Sequence, residues 1–204
     1  MSTELDSASS KVRASVLRKC GESVEVKQKF FEKYADQIGE LCERMAERFR
    51  SGGRLWTMGN GGSACDAQHI AVEFVHPIIG KRRALPAQDL VAEMPVMTAI
   101  ANDKDYARIF VDQLELWARP EDMALAISTS GQSPNLVYAL EAAREKRMLT
   151  IAFAGKDGGR MPELADYCFV VPSFSIHRIQ ETHVALLHIV WDLIHVTMGE
   201  EDVL

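Results

Sequence analysis

The sequence predicts a three-layer α/β sandwich, doubly wound around a parallel sheet and built as a single domain. Short apolar runs alternate along the chain with longer helical segments, and such alternation gives a parallel sheet with helices on both faces. The runs are continuously apolar, as in Met123-Ala124-Leu125-Ala126-Ile127, which is what strands covered on both sides require. A length of 204 residues fills one such domain with a full core and is short for two.

The elements follow in order. Residues 1–10 are rich in Ser, Thr and acids and are expected to fray. Residues 11–51 form an N-terminal helical segment in which Phe30, Tyr34, Ile38, Leu41, Met45 and Phe49 recur at three- and four-residue steps. Ser51-Gly52-Gly53 stops that helix. A strand at 54–58 leads into a helix at 65–75, then a weaker strand at 85–91 and a helix at 109–117. A strong strand at 123–128 is followed by a helix at 135–146, whose Leu136, Ala139, Leu140 and Ala143 share one face. Strands at 148–154 and 167–171 precede a long closing helix at 179–197. No internal repeat or linker divides the chain, so one domain over 1–204 is expected.

Composition narrows the class. A net charge of −6 argues against a surface that coats nucleic acid, so a bound phosphate must be held by local dipoles and placed donors. Cys20, Cys42, Cys65 and Cys168 form neither a zinc-ribbon pattern nor a disulfide framework, which suits reduced thiols in the cytoplasm. No apolar run has the length that crosses a bilayer, and the polar start has no secretory core. A cytoplasmic protein with no membrane or direct nucleic-acid partner is expected.

In doubly wound folds ligands sit at the carboxyl ends of the strands. Gly59-Asn60-Gly61-Gly62-Ser63 follows the first strand and enters a helix. Its glycines let backbone approach a ligand, and the amides of the first helical turn face an anion. Ser128-Thr129-Ser130-Gly131-Gln132-Ser133 ends the third strand. Hydroxyls plus amides at a helix start suit a phosphate monoester without any Lys or Arg. A third loop, Gly155-Lys156-Asp157-Gly158-Gly159, reads as a turn.

Two helices carry the titratable groups. His69 and Glu73 are four residues apart on one face. Gln180 and His188 are eight apart on the last helix, within about 80° of each other. An aldose–ketose interconversion needs such groups: one removes a proton beside a carbonyl, another serves the neighbouring oxygens, and the charge of the enediol must be stabilised. A divalent metal on nitrogen and oxygen donors can supply that stabilisation. Each residue also has a plain reading, as a satisfied helix histidine or a solvated helix glutamate.

Several stretches together resemble one family. These are Gly59-Asn60-Gly61-Gly62-Ser63 with Cys65-Asp66-Ala67-Gln68-His69 behind it, Ala101-Asn102-Asp103, Ala126 to Ser133, Gly155 to Gly159, and Arg178-Ile179-Gln180-Glu181-Thr182-His183. In order and spacing, from about residue 25 to 197, they are similar to the phosphoheptose isomerases of the SIS (sugar isomerase) fold. The resemblance implies conversion of sedoheptulose 7-phosphate to D-glycero-D-manno-heptose 7-phosphate, feeding heptose and lipopolysaccharide-type glycan synthesis. It implies Glu73 as base and His188 as second acid–base group, and zinc, one per subunit, on His69, Glu73, Gln180 and His188. It places the substrate on Asn60, Gly61, Gly62, Ser63, Asp103, Ser128, Thr129, Ser130, Ser133 and Gln180, in a homotetramer with active sites between subunits. Ala64, where the family has His, and His177, where it has Asp, depart from the pattern, as do the segments 76–83 and 88–95. The alternatives are an isomerase of another phosphosugar, or a non-catalytic regulator resembling the DnaA-binding replication-initiation protein. That regulator lacks counterparts of Glu73 and His188, both of which this chain has.

Overall fold

The computed structural model describes residues 2–202, with side chains from residue 10 onward. Residues 2–10, expected to fray, continue the helix in backbone, and Met1 lies outside the described residues. Helix α1 (Ser2–Arg50) leads into five strands and six further helices. These are β1 (Leu55–Gly59), α2 (Gly62–Val75), β2 (Ala87–Asp89), α3 (Met94–Asp103) and α4 (Val111–Trp117). They continue with β3 (Met123–Ser128), α5 (Pro134–Glu145), β4 (Leu149–Gly155), α6 (Met161–Leu164), β5 (Tyr167–Val171) and α7 (Ile176–Thr197). The strands form one sheet in the order β2-β1-β3-β4-β5, with every neighbouring pair parallel. The α/β sandwich expected from the sequence is what the chain forms.

The sheet separates two cores of different grain. On one face Leu125, Ile127, Ile151, Phe153 and Phe169 meet α1, α2 and α7. On the other, Ala124, Ala126, Ala152 and Ala154 meet α4, α5 and α6. Both faces are apolar, so the strands show no polar alternation. In β3 and β4 a size alternation of period two replaces it: large side chains toward α1, α2 and α7, alanines toward α5, which lets that helix lie close to these central strands. No described helix is long and apolar enough to cross a membrane.

Besides α1, which starts at Ser2 rather than residue 11, and the short α6, which was not expected, three elements differ from the sequence reading. The strand expected over 85–91 shrinks to three residues, because it is an edge strand paired only with β1 and Pro86 cannot donate to a ladder. The helix expected from 109 begins at Val111, after a separate 3₁₀ turn at Tyr106–Arg108 capped by the Asp105 carboxylate. Helix α3 has no fully buried residue: Met97, Ile100 and Ala101 are half-buried against the second core, but Met94 and Val96 are apolar and exposed, so apolar residues ring the helix and mark no single face.

Candidate functional site

The loop after β1 is shaped by close contacts. A Cβ on Gly59 would collide with the Ser63 carbonyl, and one on Gly62 with the side-chain amide of Gln180. Gly61 caps α2 with φ +57 and no side-chain cap, so no side chain occupies the first-turn amides that an anion would use. Ser63 lies buried in that turn. Asn60 and Asn135 exchange amide hydrogen bonds of 2.9 and 2.8 Å, and the Tyr106 hydroxyl donates to Asn60 Oδ1 at 3.1 Å. Asn135 is itself fixed at the start of α5, its Oδ1 accepting the Leu136 amide.

The loop after β3 folds on its own hydroxyls. Ser128 Oγ accepts the Gly131 amide at 3.1 Å and Ser130 Oγ the Gln132 amide at 3.3 Å. Gly131 takes φ +64, and a Cβ there would strike the carbonyl of Gly158. Arg160 N–H donates to Gly131 O at 3.0 Å. The third glycine loop is therefore a brace beneath the serine loop. Ser133 is the N-cap residue of α5, with an extended backbone and a side chain that makes no cap bond. It shares a cavity of about 270 Å³ with Asn60, Asp105 and Tyr106. Thr129 and Ser130 are half-buried at the loop's crest. Asp103 sits exposed at the end of α3, accepting from Asn102; Asp105 and Tyr106, two and three residues on, line the cavity instead.

The titratable groups meet where α2 crosses α7. Glu73 Oε1 lies 3.4 Å from His69 Nε2, with the glutamate side chain 15% exposed. His188 Nε2 lies 3.2 Å from His69 Nε2, across 119 residues of sequence. Partial burial and the neighbouring His69 hold the His188 pKa below the ordinary imidazole value, while Glu73 opposes them. One turn before His69, Asp66 is buried with one oxygen unpartnered. Burial pushes its pKa up to about 6, and His69 partly offsets that rise. Gln180 stands two turns before His188 on α7, about 12 Å along its axis, with its amide over Gly62.

His69, Glu73 and His188 each offer a donor atom, all within 4.8 Å of one another. Four ligands at zinc bond lengths sit about 3.3 Å apart along the edges of a tetrahedron. The observed separations of 3.2 and 3.4 Å from His69 match two edges of such a tetrahedron, and two imidazoles with a carboxylate are donor types that suit zinc.

Residues 20–155 match the SIS domain family. A phosphoheptose isomerase of Roseiflexus sp. is 44% identical over 179 residues, covering 88% of this chain and 91% of that protein. The chain belongs to the phosphoheptose isomerase family. The Aquifex aeolicus phosphoheptose isomerase is 42% identical over 173 residues, 85% of this chain and 91% of that one. Among solved structures, the Neisseria gonorrhoeae phosphoheptose isomerase superposes with a TM-score of 0.84 at 33% identity. That alignment covers 90% of this chain and 98% of the other. A Francisella tularensis phosphoheptose isomerase gives 0.87 at 28%, over 91% and 98%. The sugar isomerase domain of a Sphaerobacter thermophilus transcription factor matches at 15% identity and a TM-score of 0.63, a likeness of fold alone. The phosphoheptose isomerase family and the SIS fold expected from the sequence are thus borne out, and the regulatory alternative is not favoured.

Residues that the sequence reading did not single out also shape the site. Asn135 reads as an ordinary helix start, yet it is half of the Asn60 amide pair. Most of the 178–183 motif turns out to be scaffold. Arg178 bonds Glu181 and the Lys19 carbonyl of α1, Glu181 accepts from Ser23, and His183 Nε2 bonds Ala154 O at 3.0 Å. From that motif Gln180 reaches Gly62 of the loop after β1.

Proposed function

We propose that this chain isomerises sedoheptulose 7-phosphate to D-glycero-D-manno-heptose 7-phosphate through an enediol. The observation that carries the reading is the meeting of Glu73 with His69 and His188 at the α2–α7 crossing, in a member of the phosphoheptose isomerase family. The amides at Gly61 and Gly62 and the hydroxyls of Ser63, Ser128, Thr129, Ser130 and Ser133 cradle the phosphate at the strand ends. Asn60 and Gln180 hold sugar hydroxyls between that cradle and the crossing.

The Glu73 carboxylate takes the proton from C1 of the ketose. The C–H electron pair becomes the C1=C2 bond, the carbonyl pair moves onto O2, and His188 delivers a proton there. His188 then receives the O1 proton as C1=O1 forms, and the C1=C2 pair takes the Glu73 proton at C2. His69, Glu73, Gln180 and His188 would hold zinc, one per subunit, supplying Lewis-acid polarisation of the carbonyl.

The working form is a homotetramer with sites between subunits, in the cytoplasm, making glycan precursors. Support comes from an open cavity of about 600 Å³ that His69 shares with Val72 and Val75. Those two valines are 54% and 50% exposed, apolar surface suited to cover by another subunit.

The deciding experiment gives zinc-supplemented protein sedoheptulose 7-phosphate and follows aldose formation beside Glu73→Gln. Turnover should fall by at least about 10²-fold in the variant, with phosphate esters still raising its melting temperature. Undiminished turnover in Glu73→Gln would remove Glu73 from the mechanism, and an inactive, folded, zinc-loaded wild type would remove the substrate assignment.

A further inference from the structure

Helix α2 ends two residues past Glu73. Its last helical residue is Val75, and His76 caps it. The carbonyl of Glu73 would normally accept the amide four residues on. That residue is Pro77, which has no N–H to give. The neighbouring carbonyls are served by backbone: Val72 O by His76 N–H and Phe74 O by Leu85 N–H, both at 2.8 Å. Glu73 O is served from the other helix, by the Trp191 indole N–H at 2.9 Å.

The indole is itself held. Trp191 is buried, the Arg82 guanidinium lies 4.7 Å over its ring, and Arg82 pairs with Asp192, the next residue on α7. The His195 ring meets the indole edge-on at 5.2 Å. Trp191 follows His188 by three residues, so both face α2 from adjacent turns. Helix α7 thus presents one side chain to His69 and, one turn on, another to the backbone of Glu73.

We propose that Trp191 is the positioning residue that sets the Glu73 carboxylate relative to His188, by replacing the hydrogen bond that Pro77 cannot make. The inference rests on the reading of Glu73 as base. It gives the Arg82 segment a role as well: that strap packs the indole into the orientation that donates. A base held off its line of attack slows the chemical step and leaves ground-state binding in place.

The test compares wild type, Trp191→Phe and Trp191→Phe/Pro77→Ala in three measurements: kcat, KM for sedoheptulose 7-phosphate, and affinity for zinc ion alone. Removing one such bond should lower kcat about three- to tenfold in Trp191→Phe, with KM within about twofold of wild type. Zinc affinity should weaken about tenfold, as when the support of a metal ligand is lost. The double variant restores an amide at position 77 and should regain kcat. Equal kcat and zinc affinity in wild type and Trp191→Phe, whatever the melting temperatures, would assign the tryptophan to packing and overturn the proposal. A kcat that stays low in the double variant would credit the bulk of the ring instead, and also overturn it. An inactive wild type sinks the substrate reading; zinc affinity then decides alone, an undiminished value or no binding at all ending the role given to Trp191.

Discussion

The serine loop after β3 and the crossing of α2 with α7 are built from different materials, and the proposed function gives them different work. The loop spans Ser128 to Ser133 and closes on itself, serine oxygens accepting amides two and three residues away. The crossing joins His69 and His188 over 119 residues and holds its partners by helix packing. Hydroxyls and amides, which do not titrate near neutrality, offer an anion donors at any working pH. The crossing depends on imidazoles and carboxylates, which respond to burial, to each other and to acid. Damage to the loop should therefore appear in binding, and damage to the crossing in turnover and pH response.

The contrast is broken most severely at Gly131. Its φ of +64 and the Gly158 carbonyl behind it leave a side chain no room, so Gly131→Ala must move either the serine loop or its brace. We expect a loss of about 3 kcal/mol, a fall in melting temperature of roughly 10 °C, and failure of phosphate esters to protect against heating. Differential scanning fluorimetry with and without substrate checks this. Protection equal to wild type would show that the brace does not set the loop's shape.

Acid sharpens the comparison from the side of helices α2 and α7, the crossing and the scaffold behind it. His183 is buried against Ala154 O, and burial lowers its pKa to about 4. His188 and His195 are also lowered, first by burial. The unfolded chain protonates its histidines near the ordinary value of about 6.5. The native state therefore binds fewer protons between that pH and about 4, and stability falls as pH drops through the window. For His183 this amounts to about 3 kcal/mol. Asp66 works the other way: its pKa of about 6 means that the native state takes up a proton before the unfolded chain does, which favours folding as pH falls through 6. Asp66→Asn should accordingly be more stable than wild type at pH 7 and lose stability more steeply on acidification. Parallel urea-melt curves for the two proteins from pH 7 to 5 would refute this account of Asp66.

The same contrast governs what could be read from the sequence. Strands covered on both faces give continuous apolar runs, so the parallel sheet was legible from β3 and β4 alone. The serine and glycine loops were legible because their chemistry is contiguous. The crossing was not: spacings of four and eight residues place groups on a face of α2 or α7 but do not say that those faces meet. That pairing came from the resemblance to a family. Asp105 and Tyr106 were missed because apolar residues ring α3 and mark no single face, and Asp103 was singled out by the family resemblance alone. Trp191 was missed because its partner is a backbone carbonyl, invisible to any motif of side chains; only Pro77 hints that a carbonyl upstream lacks its amide.

The smallest effect expected separates the two regions most cleanly. Ser130 sits half-buried at the loop crest, its Oγ accepting the Gln132 amide and lying 3.5 Å from Ser128 Oγ. Ser130→Ala removes one hydroxyl that the proposed function offers to a phosphate and leaves Gly131, its brace and the α2–α7 crossing untouched. One hydrogen bond to a charged ester is worth about 1.5–3 kcal/mol at most, and Gln132 N–H, freed by the substitution, can turn to the phosphate and recover part of it. A rise in KM of roughly tenfold with kcat within about twofold is therefore the expected outcome in steady-state assays. A fall in kcat at constant KM would mean that the loop and the crossing are coupled, and that the division of labour between them fails.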